Sequence, residues 1–289
     1  MKFYKQKIHI AMTQINTVLG DIDKNLEKHY FAINQAIEGK NDIIVFPELS
    51  LTGYSLKDAV YDVAVTADDT KFNELKKLSK HISIMAGMVE LNDRYEIYNT
   101  ALFFENGELL TRHRKVYLPT YGVFEEERYF SSGNRFRAFN SKFGRFGLMI
   151  CEDIWHPTSG VILAQDGASV LLVSSAALTR GIDEDPKPEN VRTWETLLQA
   201  LAITSTSYVV FANRVGVEDG LVFWGGSAVI APDGNMITRA PFFKEEMITT
   251  ELNLLKLKHA RLNTTLLSDE KLPVLIDEFS RIYEKNKEY

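Results

Sequence analysis

The sequence predicts an α/β fold in which mixed β-sheets are covered by helices. Apolar residues follow alternating strand and helix spacings in the N-terminal part of the chain, and hairpin signals such as Asn106-Gly107 become frequent in the middle. The 289 residues, of which 45% are hydrophobic, supply enough apolar material for one large core. These patterns predict the layers of the fold but do not choose its topology.

The sequence of the N-terminal region predicts two units, each a strand followed by a helix, and then a further strand. Alternation in IHIAMTQ predicts a strand over 8–14, and apolar residues at helical spacing predict a helix over 22–38 that a glycine ends. The run IIVFPE at 43–48 predicts a buried strand whose end delivers an acidic residue to a loop. A helix around 72–78 and a strand over 82–91 complete the region.

The remaining elements are mostly hairpins, buried strands and helices. In chain order they are a hairpin around Asn106-Gly107, a hairpin around 140–144, a strand ending before Cys151, a helix near 157–166, a strand over 169–175, a helix over 190–204, a strand over 208–216, a hairpin around Asp233-Gly234, a strand over 247–252 and a charged helical tail. We expect a single domain over 1–289, with 256–289 as a C-terminal helical extension.

Charge and composition exclude several classes of partner. A net charge of −6 with scattered Lys and Arg argues against nucleic acid, because phosphate binding needs clustered positive charge, and RHRK at 112–115 is the only dense basic cluster. No apolar stretch is long enough to span a bilayer, and the N-terminus lacks the features of a signal peptide. The single cysteine fits a reducing compartment. We therefore expect a cytoplasmic protein without a membrane partner.

Cys151 is the residue from which the chemical argument starts. It follows the apolar strand end at 148–150 and precedes two acids of the kind favoured in a first helical turn. A thiol at the N-terminus of a helix is stabilised as the thiolate, which is the nucleophilic form. A small buried apolar residue is the alternative interpretation.

Three charged residues are candidate partners of this thiol. Glu48 leaves an apolar strand end, a setting that suits a general base, and an exposed strand-terminal acid is the alternative. Lys115 is either a surface charge or a cation that stabilises a reacting oxygen. Glu126 lies among the aromatic residues of YGVFEEERYF, which indicate a walled pocket, although consecutive glutamates commonly form a solvated surface.

Histidine-assisted catalysis is a competing assignment, with His113 or His156 as the base. No local pattern favours it, since such a histidine is found by geometry rather than by spacing. The six histidines form no metal-binding pair, and the glycines of FWGGSAV lack the spacing of a phosphate loop. We therefore expect no metal and no other cofactor.

A further set of side chains could line a substrate pocket. They are Tyr54, Tyr121, Phe124, Trp155, Thr179 and Arg180. Trp155 fits equally well in the core, which we favour slightly. Arg180 could bind a substrate carboxylate bidentately or pair with the acids at 183–185. The acidic stretch 180–190 is interpreted as a solvated loop, with a flap over the pocket as the alternative.

Three segments together resemble the signature blocks of the nitrilase superfamily, the carbon-nitrogen hydrolases. They are VFPELSLTGY around Glu48, RKVYLPTYGVFEEERYFSSG around Lys115 and FGLMICEDIW around Cys151, and their order and spacing match. The segments WETLLQALAITSTSYVVFANRVG and FWGGSAVIAPDGN extend the likeness over residues 8–255.

The resemblance implies a four-layer α-β-β-α sandwich and a catalytic set of Glu48, Lys115 and Cys151. Glu126 matches the additional glutamate that orients substrate and lysine in many members. The mechanism implied by this resemblance forms a thioester on Cys151. Lys115 and the backbone N–H of Glu152 stabilise the oxyanion of that reaction. The resemblance also implies a homodimer or a larger homo-oligomer, and the C-terminal helix could reach across such an interface.

Within the superfamily, ELSLTGY, YLPTYGVFEEERYF and CEDIW most resemble the glutaminase domain of glutamine-dependent NAD synthetase. The sequence has no ATP-binding loop and ends before a synthetase domain, so we expect a protein that stands alone. That glutaminase uses the serine of an NASP-like segment to bind glutamine. Here SSAALTRG places Ala176 or Ala177 at the serine position, which argues against glutamine.

We therefore expect a hydrolase that cleaves a small linear amide or carbamoyl compound and releases ammonia or an amine. The alternatives are a nitrilase proper, a glutaminase subunit that supplies ammonia to a separate synthetase, and a catalytically silent binding protein. The complete Glu48, Lys115 and Cys151 set argues against the silent protein.

Overall fold

The computed structural model describes residues 5–179 and 190–287. The strands of these residues are β1 (Lys7–Gln14), β2 (Ile43–Val45), β3 (Ser83–Leu91), β4 (Ile97–Glu105), β5 (Glu108–Arg114), β6 (Phe139–Ser141), β7 (Gly144–Ile150), β8 (Val170–Ser175), β9 (Tyr208–Asn213), β10 (Val215–Glu218), β11 (Leu221–Trp224), β12 (Ala228–Ile230), β13 (Met236–Arg239) and β14 (Glu246–Asn253).

The helices of the same residues cover the sheets or follow the last strand. They are α1 (Ile22–Glu38), α2 (Val60–Val63), α3 (Asn73–Leu78), α4 (Glu126–Tyr129), α5 (Pro157–Gln165), α6 (Val191–Ser205), α7 (Leu254–Asn263), α8 (Leu266–Asp269) and α9 (Leu272–Asn286), with short 3₁₀ helices at Lys57–Ala59, Thr70–Phe72 and Cys151–Trp155.

Two mixed sheets of six strands organise the described part of the chain. The first has the strand order β14-β1-β2-β3-β4-β5, and the second has the order β13-β12-β9-β8-β7-β6. The neighbours β1, β2 and β3 are parallel, as are β7, β8 and β9, while the outer strands are antiparallel. Parallel neighbours need crossover connections, which contain α1 in the first sheet and α5 and α6 in the second.

The two sheets pack face to face, and helices cover their outer surfaces. Met12 and Phe103 of the first sheet share one apolar core with Phe146 of the second. On the other side of the first sheet, Leu26 and Ile33 of α1 pack in a separate core. The expected α-β-β-α sandwich is therefore confirmed, with the sheets in the two middle layers.

Local sequence accounts for the ends of several elements. The Asp21 carboxylate accepts a hydrogen bond of 3.0 Å from the Lys24 N–H and so caps the start of α1, whose bounds match the predicted helix. The predicted strand over 208–216 instead divides at Arg214 into β9 and a separate hairpin, β10-β11. Asp219-Gly220 forms the turn of this hairpin with positive φ at both residues, a signal that the sequence analysis missed.

The first helix after β14, α7, packs against the second sheet and the segments next to it. Leu257 of α7 is buried, and the Arg261 guanidinium donates hydrogen bonds of 2.6 Å to the Ala168 carbonyl and 3.1 Å to the Thr206 carbonyl. The later helix α9 buries none of its residues. Across the described ranges, no helix combines the length and apolarity needed to cross a membrane.

Candidate active site

The carboxyl ends of strands from both sheets bring the candidate catalytic residues together. Glu48 follows β2, Lys115 follows β5 directly, and Cys151 follows β7 directly. Because the two sheets stack face to face, these strand ends meet in one buried region, where Glu48, Lys115 and Cys151 are at most 6% exposed. This convergence could not be read from spacing alone, since the residues are far apart in the chain.

Cys151 lies at a sharp turn between β7 and a one-turn 3₁₀ helix. Its φ of 44° is in the left-handed region, which is strained for a residue with a side chain. The Asp153 carboxylate supports the turn by accepting a hydrogen bond of 2.9 Å from the Ile150 N–H. The predicted position of Cys151 at a strand-to-helix turn is therefore confirmed.

The thiol of Cys151 is held in a polar but dehydrated setting. The Ser175 hydroxyl donates a hydrogen bond of 3.4 Å to its sulfur. Burial, followed by the charge of Glu48, raises the pKa of the thiol well above its ordinary value, and Lys115 acts in the opposite direction. Burial and the Glu48 charge therefore oppose the thiolate that the start of a helix is expected to favour. A nucleophilic role for this thiol would require a nearby base.

Glu48 lies close enough to Cys151 for its charge to raise the pKa of the thiol. Its Oε1 accepts hydrogen bonds of 2.8 Å from the Lys115 ammonium and 2.7 Å from the Asn99 amide. Its Oε2 accepts a hydrogen bond of 2.8 Å from the Ala176 backbone N–H. The carboxylate is 1% exposed and is fixed from three sides, which limits it to one orientation.

Lys115 lies between two carboxylates and is completely buried. Its Nζ donates to Glu48 at 2.8 Å and to Glu126 at 2.7 Å. Burial acts to lower the pKa of Lys115, but the charges of Glu126 and Glu48 outweigh it and raise the pKa well above the ordinary value. Lys115 therefore remains a cation beside the nucleophile.

Glu126 is the second acid on the Lys115 ammonium. Its Oε1 also accepts a hydrogen bond of 2.6 Å from the Tyr54 hydroxyl, while its buried Oε2 has no hydrogen-bond partner among the described residues. Burial raises the pKa of Glu126 to about 7, against the opposing charge of Lys115. Of the two carboxylates, Glu126 thus keeps one acceptor atom open.

Three residues of this region were not singled out from the sequence. Asn99 and Ser175 bond Glu48 and Cys151, as described above. Asp153 is buried, and its Oδ1 accepts hydrogen bonds of 3.1 and 3.2 Å from the backbone N–H groups of Val116 and Tyr117. The position of Asp153 two residues after the cysteine was visible, but its partners are distant in sequence.

The two histidines of the competing assignment have other partners. His113 Nε2 lies 2.7 Å from Asp153 Oδ2, and His156 stacks on the Tyr117 ring at a centroid distance of 3.5 Å. Neither contact involves the sulfur of Cys151. The geometry therefore favours Glu48 as the base.

The proposed pocket residues fall into different environments. Tyr121 is 42% exposed, contacts the Phe124 ring and donates to the Glu152 carboxylate at 3.0 Å. Tyr54 and Phe124 line a cavity of about 240 Å³ that also reaches Glu126. These aromatic side chains therefore form one wall near the acid cluster.

Two other pocket candidates, Trp155 and Thr179, do not line this cavity. Trp155 packs edge-on against Trp194 at 5.6 Å and contacts the main core, as the core interpretation expects. Thr179 donates its backbone N–H to the Val222 carbonyl at 2.8 Å. Arg180, together with most of the stretch 180–190, lies outside the described residues.

Within 5–179 and 190–287, no group of three or more His, Cys, Asp or Glu residues has an arrangement that could hold a metal ion. The cation of the site is Lys115, and the chemistry that these groups support is acid-base and nucleophilic.

A buried thiol beside a carboxylate and an ammonium, on a face-to-face pair of mixed sheets, defines the class of protein. The chain belongs to the carbon-nitrogen hydrolase family, whose model matches residues 9–261. It is a carbon-nitrogen hydrolase of the nitrilase superfamily, and the match includes Glu48, Lys115, Glu126 and Cys151.

Individual relatives belong to two kinds of protein. The chain is 30% identical to the glutamine-dependent NAD(+) synthetase of Thermotoga maritima, over 98% of this chain but 46% of that protein. It is also 30% identical to a probable nitrilase of Schizosaccharomyces pombe, over 93% of this chain and 97% of that protein. The chain thus spans about half the length of the synthetase and nearly all of the probable nitrilase.

One solved structure, like the probable nitrilase, is similar to this chain over nearly its whole length. The carbon-nitrogen hydrolase of Helicobacter pylori G27 superposes with a TM-score of 0.84 at 26% identity, over 94% of this chain and 98% of that one. This similarity supports the fold over almost the whole chain.

Proposed function

We propose that this protein is an amidase that hydrolyses a small linear amide or carbamoyl compound through a thioester on Cys151. The observation that carries the proposal is the Lys115 ammonium, bonded by Glu48 and Glu126 at 2.8 and 2.7 Å beside a buried thiol. This arrangement combines a base, an electrophilic stabiliser and a nucleophile in one dehydrated region.

The first half of the reaction forms the covalent intermediate. Glu48 removes the proton of the Cys151 thiol as the sulfur attacks the amide carbon. The resulting oxyanion is held by the Lys115 ammonium and the backbone N–H of Glu152, which follows the nucleophile directly. The carbon-nitrogen bond then breaks, the nitrogen takes the proton from Glu48, and ammonia or an amine leaves.

The second half of the reaction releases the acid. Glu48, again a carboxylate, removes a proton from water as the water oxygen attacks the thioester carbon. The carbon-sulfur bond breaks, and the sulfur recovers a proton from Glu48. The buried Ser175 hydroxyl, 3.4 Å from the sulfur, can stabilise the departing thiolate.

The open acceptor on Glu126 favours an amide over a nitrile. Its Oε2 is buried without a partner among the described residues, and an unpaired buried acceptor is costly. The NH₂ group of a primary amide or of a carbamoyl compound can donate to this oxygen, whereas a nitrile nitrogen cannot. Binding an amide would therefore satisfy an atom that the protein alone leaves open.

The test is ammonia release across a panel of short-chain amides, carbamoyl amines, L-glutamine and the matching nitriles. We expect turnover of at least one amide or carbamoyl compound, and no ammonia from the Cys151→Ala variant. Mass spectrometry of the wild-type protein, quenched with acid during turnover, should show an acyl adduct on Cys151, and the Glu48→Gln variant should show much less of it. Turnover of nitriles alone, or activity that persists in Cys151→Ala, would contradict the proposal.

A further inference from the structure

The basic run 112–115 is only partly used by the active site. Lys115 points into the acid cluster, whereas Arg112, His113 and Arg114 line a separate cleft of about 410 Å³. The cleft lies between β5, the edge strand of the first sheet, and the segment 134–139 that leads into the edge strand of the second. It is therefore a concave site between the edges of the two stacked sheets.

Four arginines surround this cleft, and they are only partly neutralised. Arg114 donates to both oxygens of the buried Glu90 carboxylate at 2.7 and 3.0 Å, and Arg112 lies 3.3 Å from the same group. Arg135 and Arg137, which line the opposite wall, have no acid within ion-pair distance in the described ranges. Two of the four guanidinium groups thus contact the Glu90 carboxylate, and the charge of Glu96 also acts on Arg114. The cleft is therefore rich in positive charge, although the chain as a whole carries a net charge of −6.

The positions of the first two arginines are fixed by the fold. Arg114 stacks on the Tyr98 ring at 3.9 Å while it bonds Glu90, and it is 25% exposed. Arg112 is 40% exposed, so its unused N–H groups remain available to the cleft. At the floor, the contact between His113 and Asp153 ties β5 to the turn of β7. The binding of an anion would therefore need little reordering of the β5 wall.

We infer that this cleft is a binding site for a small polyvalent anion that bears two or more phosphate groups. Guanidinium groups bind phosphate oxygens bidentately, and two walls of arginine can hold two phosphates at once. The volume lies in the range of about 300–1,000 Å³ that is typical of small-ligand sites. An extended nucleic acid fits less well, because the positive charge is confined to one concave cleft on an acidic protein.

Isothermal titration calorimetry with inorganic pyrophosphate tests the inference directly, with orthophosphate as the weaker comparison. We expect one pyrophosphate per chain, with affinity that falls as the salt concentration rises. The double variant Arg135→Gln/Arg137→Gln should weaken binding by about tenfold or more. Both arginines are exposed, so the variant should fold as the wild type does.

Arg94→Gln is the matched control, because Arg94 is an exposed arginine outside the cleft. It should bind pyrophosphate as the wild type does. Equal losses in the control and the double variant would mean diffuse charge attraction and would overturn the assignment. Absence of pyrophosphate binding at millimolar concentration would also overturn it, as would binding of a single-stranded RNA without binding of pyrophosphate.

Discussion

The surroundings of Lys115 and of Asp153 are two buried polar regions of the protein, and they are built in opposite ways. Among residues 5–179 and 190–287, Lys115 contacts two carboxylates and no other acceptor, so its region has more acids than cations and one open oxygen on Glu126. Asp153 accepts hydrogen bonds from three backbone N–H groups and contacts the His113 side chain, so most of its partners are backbone groups. A buried acid that is bonded by backbone groups stabilises the local backbone conformation. A buried acid that shares a side-chain cation with a second acid is better placed to exchange a proton during a reaction.

Replacing Lys115 should give the largest effect. Lys115→Gln should lower kcat by a factor of about 10²–10³ or more, because a lost oxyanion donor costs about 3–4 kcal/mol. It should also destabilise the protein, since two buried carboxylates lose their cation, at a cost of about 3–5 kcal/mol. Ammonia release and chemical denaturation measure the two effects separately.

A second variant separates charge balance from catalysis. Lys115→Gln/Glu126→Gln removes one carboxylate together with the cation and should recover part of the lost stability without recovering turnover. Lys77→Gln, at a lysine that is 70% exposed, should change neither quantity. If the single variant retained normal ammonia release, the catalytic role of Lys115 would be excluded.

Changing Asp153 should act first on stability. Asp153→Asn keeps the size of the side chain but replaces an acceptor by an N–H donor facing other donors. We expect the free energy of unfolding to fall by about 2–3 kcal/mol, since unpaired buried groups cost about 1–3 kcal/mol each. Urea denaturation measures this change, with the exposed Asp93→Asn as the control. An unchanged unfolding midpoint would remove the structural role assigned to Asp153.

Glu126 should make stability depend on pH in a distinctive direction. Its pKa is raised from 4.5 to about 7 in the folded protein, so between these values the unfolded chain binds fewer protons at this group. Stability should therefore fall as pH rises from about 4.5 to 7, by at most about 1.4 kcal/mol per pH unit. Glu126→Gln removes this slope. Denaturation curves of both proteins at pH 5, 6 and 7 test it, and parallel profiles would contradict the assignment.

The smallest effect is expected from Asn99, which contacts Glu48 but not Cys151. Asn99→Ala removes the 2.7 Å hydrogen bond that helps to orient the base. A bond of this kind to a charged group contributes about 1.5 kcal/mol, so kcat should fall roughly tenfold, with less change in KM. Steady-state kinetics measure both parameters, with the exposed Asn140→Ala as the control. A rise in KM alone would mean that Asn99 acts in substrate binding instead.

Much of the fold could be predicted because local signals and tertiary packing agree. The 3.6-residue spacing of α1, its Asp21 cap and the continuous apolar runs of the parallel strands each point to the element that forms. The β10-β11 hairpin was missed although Asp219-Gly220 marks its turn, since the strand before it continues an apolar run. Local patterns decide the type of an element better than the place where one strand ends and the next begins.

Sequence alone determined which residue types could perform catalysis, since a lone cysteine, a strand-terminal glutamate and a lysine stand within recognisable blocks around Cys151, Glu48 and Lys115. Only the tertiary structure decided their protonation and their partners. Burial raises the pKa of the Cys151 thiol, two carboxylates share one ammonium, and Asp153 and Asn99 bond neighbouring groups of the cluster. The physical reason is that pKa values and hydrogen bonds depend on dehydration and on distances across two sheets, and neither is encoded in the spacing of residues along the chain.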